Sequence, residues 1–450
     1  MLRKIIAHTL PLTFGVLSLM LVQLVDSIFI GRLGIDALTA QGITIPFQTL
    51  FIGIQVGIGV ATTSIISQAV GSKNRQSATK TATISVISGS VLLSLLSLLL
   101  WIKRPFFYSL FGNFTTESIS NNSLDNSNII SILLNQYWSV WLISVVLGAL
   151  MYFISAIYRA NGETKAPGYF LVLASLINLI LDPLFMFTFN MGIKGAALAS
   201  SVSYIFCIFI MAVKVKNKSW FCFSLFDRTS IDYFRSLINM AIPTISNQIL
   251  PSVSAMTVTY LIAQLGTTSV AFWTLLSRIE MFALVFSLSL TMSVPPLVGR
   301  YIGENKIEKV TQLVFSSAAI VVIYHLIIAV ILAISAPYIA NLLTTDTRLS
   351  DSLSYALIFV PLSYGPLGLC MLIVSVFNAL CEPRKALVLS SLRLFVFYIP
   401  ATFIGVSIGG IENVLWAVFV ANILAGSTAW FMFYQRTNQF KKTVEYCVTS

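Results

Sequence analysis

Apolar runs of about twenty residues, separated by short polar stretches, recur from Leu10 to Tyr434. A helix of that length crosses the hydrocarbon layer of a bilayer. The pattern predicts six spans near Leu10 to Ile30, Ile43 to Ile66, Thr83 to Ile102, Ile132 to Ile157, Tyr169 to Phe189 and Ala196 to Val213. Six more are predicted near Leu237 to Leu265, Val270 to Leu297, Val310 to Ile334, Leu353 to Leu380, Leu387 to Val406 and Val414 to Tyr434. The expected fold is therefore an all-α polytopic membrane protein of twelve transmembrane helices. An even number of spans puts both termini on one side of the membrane.

The chain also repeats itself. Shifting it by 232 residues superposes Pro11 on Pro243, Leu33-Gly34 on Leu265-Gly266 and Gly71 on Gly303 without a gap. These residues punctuate helix starts, turns and ends, so their shared spacing predicts a duplication into two six-helix lobes. Later, Val172–Leu176 resembles Val388–Leu392, each run following a basic loop with an acid, Glu163 or Glu382. With an even number of spans in each lobe, the repeats are parallel about an axis along the membrane normal. The expected boundaries are 1–213 for the N-terminal lobe, 214–235 for a cytoplasmic linker, 236–435 for the C-terminal lobe and 436–450 for a cytoplasmic tail. The Ser- and Asn-rich stretch from Asn113 to Asn128 has no match in the second half and reads as an external loop.

Composition agrees with the pattern. Of 450 residues, 57% are hydrophobic and 10% are charged, against roughly a quarter charged in a soluble domain. A soluble enzyme, a nucleic-acid-binding domain and a disordered chain are excluded. The net charge of +11 would point to a polyanion if it formed a patch, but it sorts by side instead. Twenty lysines and arginines lie in the connections that share a side with the termini, among them Arg3, Lys4, Lys73, Arg159, Lys216, Arg300 and Arg436. Five lie on the other side: Arg32, Lys103, Arg104, Lys194 and Arg348. The positive-inside rule then predicts cytoplasmic termini and an external Asn113–Asn128 loop. The five scattered cysteines lack metal-ligand spacing and read as small apolar fillers.

Ionisable residues inside a span cost about 2.5 to 3.5 kcal/mol on insertion scales, so each needs a reason. In the first lobe they are Asp26 and Asp182; in the second, Arg278, Glu280 and Arg393, with His325 as a titratable neighbour. At about 1.5 Å per residue, Asp26 and Asp182 fall in the outer half of the bilayer, with Tyr137 and Ser200 near the same layer. Asn178 precedes Asp182 by one helical turn. Two carboxylates with amide, phenol and hydroxyl neighbours make a candidate proton or cation site; the alternative is structural acids that cap backbone. Arg278 and Glu280 stand two apart and face different directions, so each is read as an accessory or structural group, Glu280 pairing with another helix. His325 reads as a satisfied packing histidine, and Arg393 as a snorkelling side chain.

Together these residues resemble the multidrug and toxic compound extrusion (MATE) family over nearly the whole chain. The opening motif from Pro11 through Leu24-Val25-Asp26-Ser27-Ile28-Phe29-Ile30-Gly31-Arg32-Leu33-Gly34 carries the likeness, together with Gly71-Ser72-Lys73. The DinF-type branch is the most similar, since Pro11, Asp26, Asn178 and Asp182 match its pattern. Tyr137 and Ser200 fall where that branch has a tyrosine and a threonine, the serine being a departure. The acids of the NorM-type branch in the seventh and tenth helices are missing. The resemblance implies an inner-membrane antiporter that exports organic cations or amphipathic drugs against protons or sodium, by alternating access between the two lobes, with substrate in a cleft between them. Asp26, Asn178 and Asp182 would couple protons, Ser200 could join them around sodium, and Pro11 would be the hinge. No cofactor beyond the coupling ion is expected. The expected partners are small cationic or amphipathic molecules and membrane lipid, not nucleic acid, and the chain reads as a monomer. Two alternatives remain. A lipid-linked oligosaccharide flippase would need several cavity arginines where only Arg278 and Arg393 lie within spans. An intramembrane enzyme would need a nucleophile and base, yet His8 and His325 lie in different lobes.

Overall fold

The computed structural model describes residues 1–110, 126–216, 218–222 and 228–449. Most of the Asn113–Asn128 stretch and part of the 214–235 linker lie outside the described residues. All regular elements among the described residues are helical. The first half runs α1 (Leu2–Arg32), α2 (Ile35–Gly71), α3 (Arg75–Ile102), a short α4 (Arg104–Leu110), α5 (Asn126–Ala160), α6 (Lys165–Pro183) and α7 (Ile193–Val215). The second half runs α8 (Arg228–Ala263), α9 (Thr267–Ala283), α10 (Val285–Gly303), α11 (Ile307–Leu343), α12 (Thr347–Phe359), α13 (Tyr364–Ala379), α14 (Pro383–Ser391), α15 (Ile399–Ile408) and α16 (Ile411–Thr449).

Each of the twelve expected spans lies on one of these helices or on a broken pair. Ten described stretches are long and apolar enough to cross a membrane, and α9 with α10, bent by 42° at Leu284, adds an eleventh. The seventh span lies on α8, which is long but rich in Ser, Thr, Asn and Gln. Besides this bent pair, three described spans are interrupted. A π-helical stretch, Leu184–Thr188, follows α6; a 3-10 turn, Val360–Ser363, joins α12 to α13; a second π-helical stretch, Leu392–Tyr398, joins α14 to α15. Proline supplies a cause at two of them, since Pro183 and Pro361 have no N–H to donate and their rings crowd the preceding turn.

Hydroxyl side chains inside the spans bond back to the carbonyl four residues earlier, as Thr62 does to Ile58 O at 2.8 Å and Ser203 to Ala199 O at 2.7 Å. That keeps them satisfied where no water is at hand. Described residues group into two compact units. One contains Phe14–Ile66 and Asn74–Ala241; the other contains Met1–Thr13, Ser67–Lys73 and Ile242–Ser450. The division passes through α1 two residues beyond Pro11. In the second unit Ile5 joins Leu290, Val294, Val298, Val321, Ile373 and Phe377 in one apolar core. In the first, Met151, Tyr158, Phe170, Cys207 and Met211 pack together, and the Tyr158 hydroxyl donates to Met211 O at 3.1 Å.

The repeat is visible in the turns. Gly34 and Gly266 both have positive φ, +122° and +105°, ahead of α2 and α9. Lys73 and Asn305 share φ near +57°, at 59° and 55°. After α5 and α13, the Glu163 amide donates to Tyr158 O and the Glu382 amide to Phe377 O, each at 2.9 Å. Gly71 and Gly303 end α2 and α10 as expected, and each is also needed for a close approach, since a Cβ on Gly71 would stand 2.3 Å from Arg300 O and one on Gly303 2.2 Å from Gln68 O. One sequence expectation changes here. The Val172 and Val388 runs begin nine and six residues after equivalent glutamates, so they do not occupy equivalent positions.

Candidate functional site

The site is built on one irregularity. Beyond Pro183 the helix widens into the π stretch, where the Phe189 amide reaches back five residues to Leu184 O at 2.9 Å. The chain reverses through Asn190 and Gly192, both with positive φ, and the Met191 and Gly192 amides return to Phe185 O and Met186 O. α7 then starts hard against the π stretch, because Gly195 has no side chain: a Cβ there would stand 2.8 Å from Met186 N. This close approach sets Ser200, five residues on, opposite α6.

Asn178 and Asp182 stand one turn apart on α6, as their spacing predicts. The Asn178 amide nitrogen donates to Asp182 Oδ1 at 3.3 Å and to Ser200 Oγ at 3.2 Å. Asp182 is 0% exposed, and Asn178 is buried. Asp26, half-buried on α1, brings its carboxyl within hydrogen-bonding reach of Asp182. Asp26 Oδ1 and Asp182 Oδ2 are both buried with no hydrogen-bond partner. Among the described residues no lysine or arginine acts on either carboxyl. Tyr137 on α5 is buried and faces both acids, with Thr44 of α2 at its hydroxyl.

Sequence reasoning missed two members of this cluster. Tyr204 also faces both Asp26 and Asp182, and its place one turn after Ser200 is the signal that could have found it. Thr44 carried no such signal. Two expected accessory residues are elsewhere: Arg278 is exposed on α9, and Glu280 faces Arg393 of the second π stretch. Pro11 sits inside α1 in the other compact unit. His325 is buried, with Nδ1 at 2.9 Å from Val321 O and Nε2 at 3.5 Å from Ser287 Oγ, a packed and satisfied ring.

Chemically, two adjoining carboxyl groups present only acceptors when both are ionised, so a hydrogen bond between them requires a proton. The same pair of oxygens, with no fixed cation beside them, attracts any cation that enters.

Known proteins resemble this chain along nearly its whole length. The profile of the MatE family matches residues 11–184 and 243–404. A protein of Shewanella oneidensis described as an FAD transporter is 25% identical over 96% of this chain and 94% of its own length. The multidrug export protein MepA of Staphylococcus aureus is 21% identical over 95% of this chain and 92% of its own. Among solved structures, the Vibrio cholerae MATE transporter VcmN in its bent form superposes with a TM-score of 0.91 at 39% identity, over 98% of this chain and 97% of that one.

Proposed function

The chain belongs to the MatE family, and from that premise we propose that it exports organic cations or amphipathic drugs by antiport with protons at the Asp26, Asn178, Asp182 cluster. Family membership makes it a multi-pass membrane transporter and not an enzyme. The observation that carries the finer reading is the pair of adjoining carboxyls, each with a buried oxygen lacking a partner and no cation beside it.

In this reading the ionised pair holds the positive end of the substrate. A proton arriving from outside takes the place between the carboxyls, removes the attraction, and the substrate leaves. Tyr137, Tyr204 and Ser200 position the acids and line their surroundings. Pro11 lets α1 bend as the charge changes, since it has no N–H to hold the preceding turn. Sodium is the alternative ion. It prefers several oxygens at once, whereas Asn178 turns its amide nitrogen toward both Asp182 and Ser200, which supports the proton. The charge asymmetry of the loops supports cytoplasmic termini, and in this reading the chain works in the inner membrane as a monomer.

The test is transport of a fluorescent organic cation in proteoliposomes, first under a pH gradient and then under a sodium gradient. The pH gradient alone should drive transport, and Asp26→Asn should insert and fold yet export little. Transport driven only by sodium would replace the ion; full activity in a well-folded Asp26→Asn would reject the site.

A second reading comes from the FAD-transporting relative, which matches nearly end to end. FAD is an anion at neutral pH, and the paired acids would repel it. Export of preloaded FAD that survives Asp26→Asn would favour that reading.

A further inference from the structure

The first unit gathers charge and aromatic rings at a second place, at the opposite end of α6 from Asp182. After Val215 the chain leaves α7 and folds back. The Lys218 amide donates to Val215 O at 2.8 Å, Ser219 takes a left-handed φ of 51°, and the Cys222 amide donates to Thr83 Oγ1 of α3 at 3.0 Å. This course sets two side chains of one short segment on the same ring. Lys218 Nζ stands 5.6 Å from the centre of the Tyr158 ring and 4.8 Å from that of Trp220. Trp220 meets Tyr158 edge to face, with centroids 5.1 Å apart, and Glu163 Oε1 accepts from the same ammonium. Phe170 continues the row 6.1 Å from Tyr158, with Lys214 Nζ 5.4 Å from its centre.

Two aromatic rings and a carboxylate around one ammonium make the arrangement by which proteins recognise quaternary ammonium ligands. Here the occupant is the chain's own lysine. A solvent-exposed ion pair needs no rings beside it and contributes little alone, and a left-handed serine has a conformational cost. The equivalent turn in the other half is built differently. Glu382 holds both Lys385 and Arg436, at 3.0 and 2.5 Å, and Phe377 stands where Tyr158 does. Among the described residues Glu163 pairs with Lys218 alone. The side chains of Lys218 and Glu163 are 32% and 41% exposed, so the ammonium sits at a mouth open to solvent. The floor beneath it is fixed, since Tyr158 is buried and its hydroxyl is tied to Met211 O. Lysine swings on a flexible four-carbon stem; when it swings away, it leaves a space the size of an ammonium between the two rings and the carboxylate.

We propose that Tyr158, Trp220 and Glu163 form a second cation site, which takes the ammonium end of an organic cation, and that Lys218 is its built-in plug. The site is the place of first contact for a cation arriving from the side proposed to be cytoplasmic. It rests on the reading of the chain as an exporter of organic cations, but binding is measured without transport, so that the two fail separately.

The probe is choline, titrated against the full chain in detergent with its seven tryptophans replaced by 5-fluorotryptophan and read by fluorine NMR. Trp220→Phe identifies the Trp220 signal, and sodium chloride at equal concentration is the blank. Choline should shift that signal saturably in Lys218→Met, and the wild type should need about tenfold more, because its own ammonium competes at high local concentration. Adding Glu163→Gln to Lys218→Met should weaken choline binding by about threefold or more. The alcohol 3,3-dimethylbutan-1-ol, which has the shape of choline without its charge, should leave the signal in place. If Lys218→Met does not fold, choline against the alcohol in the wild type decides. A signal that choline does not move, that the alcohol or sodium chloride moves equally, or that moves at the same choline concentration with and without Lys218 would overturn the proposal. The shift should persist in a chain carrying Asp26→Asn and Asp182→Asn; its loss there would assign it to the paired acids and overturn the second site. A shift that responds to Lys218 in a chain that transports no organic cation would leave this site standing and remove the exporter.

Discussion

The turns that close α2 and α10 are backbone copies, with left-handed Lys73 and Asn305 in the same place, and so are the glutamate turns after α5 and α13. The polar interiors of the two halves are not. At the 232-residue spacing Asp26 stands at the repeat position of Val258. Val258 is 0% exposed. The duplicated frame is therefore indifferent to what its interior carries: hydrogen bonds within helices and turns hold it, and one copy could gain carboxylates without the other following. Two of the intramembrane charges lie at local irregularities, Asp182 just before the first π stretch and Arg393 in the second.

Removing the carboxylates should show this difference most strongly. Asp182→Asn and Asp26→Asn each keep side-chain volume and lose the titrating group, so export should fall to background while the folded yield holds. Drug-resistance assays on cells that express each variant check this. The opposite change probes the other half. Val258→Asp places an unpaired acid in an apolar core, and it should destabilise the chain by about 3 kcal/mol, read as a lower thermal midpoint or loss of inserted protein. A stable Val258→Asp would mean that the two interiors are interchangeable.

Smaller effects sharpen the same contrast. Gly195→Ala sets a methyl 2.8 Å from Met186 N and should cost about 1–3 kcal/mol, with export lowered because α7 carries Ser200. In the other half Asn413, near the start of α16, already has a side chain, so Asn413→Ala should leave export unchanged. The smallest effect lies in the turns. Glu304 is held below the usual carboxylate range by Lys306 and Arg300, at 2.7 and 3.2 Å, while its repeat partner is Ser72. A lowered folded-state value adds stability that is complete above the usual carboxylate range and is lost as pH falls through the lowered value. Glu304→Gln should therefore reduce stability by less than about 1 kcal/mol near neutral pH, and the difference should vanish in acid. Melting curves of both proteins at neutral and acid pH read it.

Much of this was legible in the sequence because it depends on spacing. Apolar run length located the spans, the 232-residue shift located the shared turns, and the four-residue step from Asn178 to Asp182 gave the hydrogen bond that joins them. Contacts between distant helices were less legible. Tyr204 and Thr44 reach the acids only through the packing of α7 and α2 around them. That Gly71 and Gly303 end helices was legible, but that each also lets two backbones touch was not, because a glycine does not name its neighbour. The π stretches were hidden because a helix widened by one residue keeps nearly the same apolar periodicity; Pro183 was the one visible hint at the first.

Proton release on substrate binding tests the central claim most directly, since that claim is that exchange takes place in the first half alone. An organic cation is added to the purified chain in weakly buffered detergent, and the protons set free are counted with a pH dye. The wild type and Glu280→Gln should release protons as they bind, and the paired Asp26→Asn, Asp182→Asn variant should release none. Release that persists in the paired variant, or that disappears in Glu280→Gln, would contradict the account.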